Sequence, residues 1–93
     1  MKSLQQWYDE GDALLQQGKF EEGDKCFNEV IAIDKTFMPA YRGKYKCLLT
    51  MGKYNETLEW CDKALEIDST YRFALNSKTN ALFYLERHDE ALA

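Results

Sequence analysis

Apolar residues recur along the chain at helical spacing, in stripes that stop and restart at regular intervals. Trp7, Leu14 and Leu15 share one stripe and predict a first helix over roughly 4–17. Gly18-Lys19 interrupts it, because glycine readily adopts the left-handed conformation that ends helices. A second stripe through Phe20, Phe27, Val30, Ile31 and Ile33 predicts a helix over 20–33, closed by Asp34-Lys35-Thr36. The pattern then returns as helices over 38–51 and 54–67, divided at Gly52-Lys53. A further helix is expected near 72–85, followed by the stub His88-Asp89-Glu90-Ala91-Leu92-Ala93. Pro39 falls in a first turn, where its missing N–H costs nothing. Ser3, Ser69 and Thr70 are placed to cap the helices that follow them.

The return is an internal repeat. A shift of 34 residues carries Leu14 onto Leu48, Leu15 onto Leu49, Gly18 onto Gly52 and Lys19 onto Lys53. It also carries Glu22 onto Glu56, Ile33 onto Ile67 and Asp34 onto Asp68. A second shift takes Ala40 to Ala74, Leu48 to Leu82 and Glu56 to Glu90. Unrelated helices share scattered leucines; they do not keep one register from end to end.

Period, glycine placement and column identities together resemble the tetratricopeptide repeat family. Trp7, Tyr41 and Leu75 occupy its large first-helix anchor, and Ala13, Cys47 and Ala81 its small packing position. Phe20 and Tyr54 match the aromatic that opens the second helix, with His88 a weaker match. Gly23, Thr57 and Ala91 fill the small second-helix position, and Val30 and Ala64 the later one. The resemblance implies an all-α fold: an α-solenoid of antiparallel helical hairpins wound as a right-handed superhelical array. One domain would span 1–93, with repeat one at 4–37, repeat two at 38–71 and a partial repeat three at 72–93. An array that stops in mid-hairpin is expected to be a fragment of a longer protein. Departures are visible too. Lys35 and Ser69 replace the usual proline, Glu10, Lys44 and Lys78 stand where leucine is common, and the small residue kept as Gly11 becomes Tyr45 and Thr79. Tyr45 is expected to open the spacing between hairpins locally.

Charge narrows the partners. The 93 residues carry a net charge of -4, which argues against nucleic acid as a partner. No apolar run approaches the ~20 residues that span a bilayer, and Met1-Lys2 leads into polar sequence, so no membrane partner is expected and a cytoplasmic location is. Cys26, Cys47 and Cys61, three thiols on apolar helix phases, read as small buried hydrophobes rather than a disulfide framework. With His88 the single histidine, no metal site and no cofactor are expected. Asp9, Glu10 and Asp12 cluster, but without a base or a phosphate-cradling loop they read as helix surface, and no catalytic residue is assigned. Asn55-Glu56-Thr57 lies inside an expected helix and is dismissed as a glycosylation site.

The resemblance implies a protein-interaction scaffold whose first helices line a concave groove. The groove-facing set it implies is Gln5, Tyr8, Asp9 and Asp12, then Arg42, Lys46 and Leu49, then Phe73, Asn76, Ser77, Asn80, Phe83 and Tyr84. Eight of these are the candidate partner-binding residues: Gln5, Tyr8, Asp12, Arg42, Lys46, Asn76, Asn80 and Tyr84. Spacing supports the grouping, since Tyr8/Asp12, Arg42/Lys46 and Asn76/Asn80 are each four apart on a helix face. Such a groove runs from acidic through basic to an amide-and-aromatic end, and suits a protein or peptide segment, extended or helical, with an acidic centre. Against that stand blander readings: Arg42 and Lys46 as a solvated face, and Phe83 as core beside Leu82 and Leu85. The positions that form the family's cationic clamp for chaperone C-termini hold Tyr8, Asp12, Gly43, Phe73 and Ser77, so that activity is not expected. The alternative function is self-assembly, a homo-oligomer formed through apolar positions Leu75, Leu82 and Leu85 at the C-terminal end. The helix near 72–85 could instead cap the array, with Asn76, Lys78, Thr79 and Asn80 supplying polarity.

Overall fold

The computed structural model describes the backbone of residues 1–92 and the side chains of residues 1–87. Five helices follow one another: α1 (Leu4–Gln16), α2 (Phe20–Ile33), α3 (Met38–Thr50), α4 (Tyr54–Ile67) and α5 (Arg72–Leu92). Each packs on the next, and α1, α3 and α5 also touch in succession. The first helices of the units therefore form one layer, with α2 and α4 behind it. The molecule measures 49 × 30 × 16 Å, the proportions of a stacked slab.

The hairpin turns are set by two glycines. Gly18 and Gly52 have φ of +78° and +76°, where a side chain would be strained. The amide of Lys19 donates to the Leu14 carbonyl at 2.8 Å and that of Gly18 to Leu15 at 3.1 Å, and Lys53/Leu48 and Gly52/Leu49 repeat the pair at 2.9 and 3.1 Å. These are the paired bonds that satisfy orphan carbonyls at a glycine-terminated helix. In the third unit Glu86 stands at this position, so nothing favours the left-handed turn. Accordingly α5 does not stop near 85 but runs on to Leu92. The expected roles of His88 and Ala91 lie outside the described side chains.

Ser3 caps α1 as expected: the Gln6 amide donates to its Oγ, while the Ser3 amide donates to Gln6 Oε1 at 2.8 Å. Ser69 and Thr70 do not cap α5, which begins two residues beyond Thr70. Asp68 Oδ1 instead accepts from the Thr70 amide (3.0 Å) and hydroxyl (2.8 Å). Asp34 and Thr36 make the same turn at 3.0 and 2.6 Å, and those hydrogen bonds hold the Asp34 carboxyl below its usual pKa. An aspartate that folds back on its own backbone is a turn former, and it outcompetes the capping role.

Two apolar clusters form the core. Phe27, Val30, Ala40 and Cys47 centre the first, and Tyr41, Tyr45, Cys61, Ala64 and Ala74 the second, with Ile31 packed against both. Their register contains an exchange of volumes. A Cβ on Gly11 would lie 2.9 Å from the Phe27 ring. One repeat later the pair Gly11/Phe27 becomes Tyr45/Cys61, large and small having changed helices. Tyr45 is buried, and its hydroxyl reaches the Trp60 carbonyl at 3.4 Å. The backbones of α3 and α4 consequently lie less close together than those of α1 and α2. The opening expected between hairpins is not seen there, since α4 packs on α5 as closely as α2 on α3; the loosening lies within the hairpin that carries Tyr45.

Ala13, unlike its buried counterparts Cys47 and Ala81, is exposed. Cys47 faces Gly23 of the preceding second helix, and among the described residues no helix precedes α1 to cover Ala13.

Candidate functional site

The layer of first helices carries two adjoining clefts with Arg42 and Lys46 as their common wall. The first lies between α1 and α3. Tyr8 and Asp12 line one side, Arg42 and Lys46 the other, and Phe27 the floor; its volume is about 110 Å³. The second lies between α3 and α5 and holds about 260 Å³. Tyr45, Leu49 and Phe73 make it apolar, and Asn76, Ser77 and Asn80 rim it with hydrogen-bonding groups. Six of the eight candidate residues thus line the depression that these two clefts make side by side: Tyr8, Asp12, Arg42, Lys46, Asn76 and Asn80.

Glycine explains how Phe27, from the rear layer, reaches the front. A Cβ on Gly43 would come within 2.5 Å of its ring. Phe27 therefore wedges between α1 and α3 only because Gly11 and Gly43 leave room. The resemblance had directed attention to first helices alone, and this rear-layer residue was missed. The signal was present in the two glycines, each costly inside a helix unless close packing demands it.

Electrostatics give the depression its character. Among the described residues the ion pairs are Lys2–Glu10, Lys44–Asp24 and Lys78–Asp62. Arg42 and Lys46 belong to none of them, and both are exposed. The Arg42 guanidinium lies over the Phe73 ring, 4.2 Å from its centroid, a cation–π contact that holds the charge at the mouth of the second cleft. Asp12 Oδ2 accepts from Gln16 Nε2 at 3.0 Å, and the residue also lines the first cleft.

The remaining candidates sit elsewhere. Gln5 is exposed and donates to Asp9 Oδ1 at 2.8 Å, outside both clefts. Tyr84 stacks on Tyr54 at the start of α4, with ring centroids 5.2 Å apart and planes 15° off parallel. Tyr8 is less a free platform than a wall: half-buried, it packs edge-on against Phe37 at 5.4 Å and tilted against Phe27 at 5.9 Å. Phe83, groove-facing by the resemblance and core by the blander reading, lines neither cleft and is 52% exposed, with Leu82 beside it at 49%. No second helix covers that side of α5 among the described residues.

All three cysteines are free and buried. Burial pushes the thiols of Cys47 and Cys61 up to about 11, so they stay protonated at neutral pH and are poor nucleophiles. Among the described residues no group of histidine, cysteine and carboxylate side chains is arranged to hold a metal. No helix there is long and apolar enough to cross a membrane.

A family model for the tetratricopeptide repeat matches residues 5–37. That span covers the first hairpin and its closing turn, and the 34-residue register carries the same unit through α3, α4 and α5. Residues 5–37 are a tetratricopeptide repeat, and the five-helix array supports a protein of that family with a few repeats. No curated protein matches it. Tetratricopeptide repeats generally mediate protein–protein interaction, and the family is typically a non-catalytic scaffold.

Proposed function

We propose that the depression formed by α1, α3 and α5 is the interaction surface, and that it takes an extended protein segment with an acidic residue at its centre. One observation carries the reading: Arg42 and Lys46 stand unpaired where two clefts meet, one lined by polar groups and one by apolar ones. A charge held by a ring, as Arg42 is by Phe73, loses little freedom when a carboxylate docks. Asn76 and Asn80 can each donate to and accept from a peptide backbone, which supports binding of an extended chain. The test is affinity capture from the source organism's lysate with the native chain and with an Arg42→Glu/Lys46→Glu variant. A protein retained by the first and lost by the second is the expected result. Recovery of the same proteins by both would move binding away from this surface.

A second reading rests on α5. Leu75 and Leu82 are 46% and 49% exposed, at positions whose counterparts Tyr41 and Leu48 are buried. Association of two copies through this face would cover them.

A further inference from the structure

The charge order across the clefts goes beyond an acidic centre, and the inference drawn from it rests on the groove reading above. Asp12 on α1 lines the same small cleft as Arg42 and Lys46 on α3, yet it pairs with neither. Opposite charges that face one cleft without bridging leave both signs available to a ligand. On the far side of Arg42 and Lys46 the surface turns apolar, with Tyr45, Leu49 and Phe73. From α1 to α5 the surface therefore presents negative, positive and then apolar chemistry.

We infer that the groove selects an extended peptide segment of another protein that carries three determinants in order: a cationic group, a carboxylate and an apolar side chain. The cation faces Asp12, the carboxylate lies on the Arg42–Lys46 wall, and the apolar side chain enters the cleft beside Leu49 and Phe73. Size agrees with chemistry. The first cleft, at about 110 Å³, admits a slender polar group, whereas the second, at about 260 Å³, has room for a large side chain. Packed helices lie about 8–10 Å apart and an extended chain advances about 3.3 Å per residue, so the determinants fall about three residues apart. Like charges in the wrong order are rejected: an acidic residue at the first site meets Asp12, and a basic one at the second meets two cations.

The test is selection from a random peptide display library on the full chain, on Asp12→Lys and on Arg42→Glu/Lys46→Glu, with circular dichroism confirming that each variant folds. The native chain is expected to enrich peptides with the ordered cation, carboxylate and apolar residue. For such a peptide, Asp12→Lys weakens binding by about fivefold or more, and exchanging the peptide's cation for glutamate restores it. If Asp12→Lys changes neither selection nor affinity while the double variant abolishes both, the groove reading stands and the ordered recognition falls. If the double variant also binds unchanged, or if no peptide is enriched, both fall. Enrichment of peptides copied from this chain's own sequence, with a mass that rises with concentration, would make a second copy the occupant and overturn the inference.

Discussion

Lys44 has only 2% of its side chain exposed, at a column where leucine is common in this family. Its ammonium reaches Asp24 Oδ1 and Asn28 Oδ1, both at 2.6 Å, and sits 4.3 Å from the Trp60 ring centroid. Lys78 repeats the device one unit later, meeting Asp62 at 2.9 Å near the surface. Lysine thus joins α3 to α2 and α5 to α4, the second helix of the unit before it in each case. A buried pair contributes little net stability because desolvation offsets attraction, but an orphaned buried charge is costly. Asp24→Ala is expected to lower unfolding free energy by about 3 kcal/mol, whereas Lys44→Met leaves it unchanged or raises it by about 1 kcal/mol. Urea denaturation of both variants checks this; equal losses would show that the pair itself carries the stability. None of it was legible in the sequence, because the partners lie 20 and 16 residues back along the chain. The burial of the cysteines was legible, since each lies on the apolar phase of its own helix.

For the helices, the limits of α2 and α4 follow directly from the expected stripes, because a glycine before and an aspartate turn after mark each one. The end of α5 was misread for the corresponding reason. The apolar stripe and the repeat length pointed to a break, but Glu86 cannot supply the left-handed residue that Gly18 and Gly52 provide. The exposed side of this helix decides between the two readings of function. If α5 mediates association, sedimentation equilibrium will show a mass that rises with concentration, and Leu82→Glu will reduce it to the monomer. A monomer mass independent of concentration in the native chain would remove self-association from consideration. Lys78 and Thr79 do not cover the apolar positions: Lys78 turns to Asp62, and the Thr79 hydroxyl donates to the Leu75 carbonyl at 3.0 Å.

At the scale of the molecule, function follows from layering. Short turns at Gly18 and Gly52 return each second helix to the rear, so α1, α3 and α5 stand side by side and place residues 34 apart in neighbouring positions. That is why Tyr8, Arg42 and Asn76, one column of the repeat, fall on one surface. The column was readable because it depends on period alone. What period does not carry is how far a side chain reaches: Tyr84 turns to Tyr54, Gln5 to Asp9, and Phe27 comes through from behind. The most direct measurement is photo-crosslinking in the source organism's lysate from a benzoylphenylalanine placed either at Asn80, in the second cleft, or at Ile67, exposed on α4 of the rear layer. The account predicts a protein adduct from the Asn80 position that disappears when Arg42 and Lys46 are both changed to glutamate. Adducts formed only from the Ile67 position, or an Asn80 adduct indifferent to that charge reversal, would contradict it.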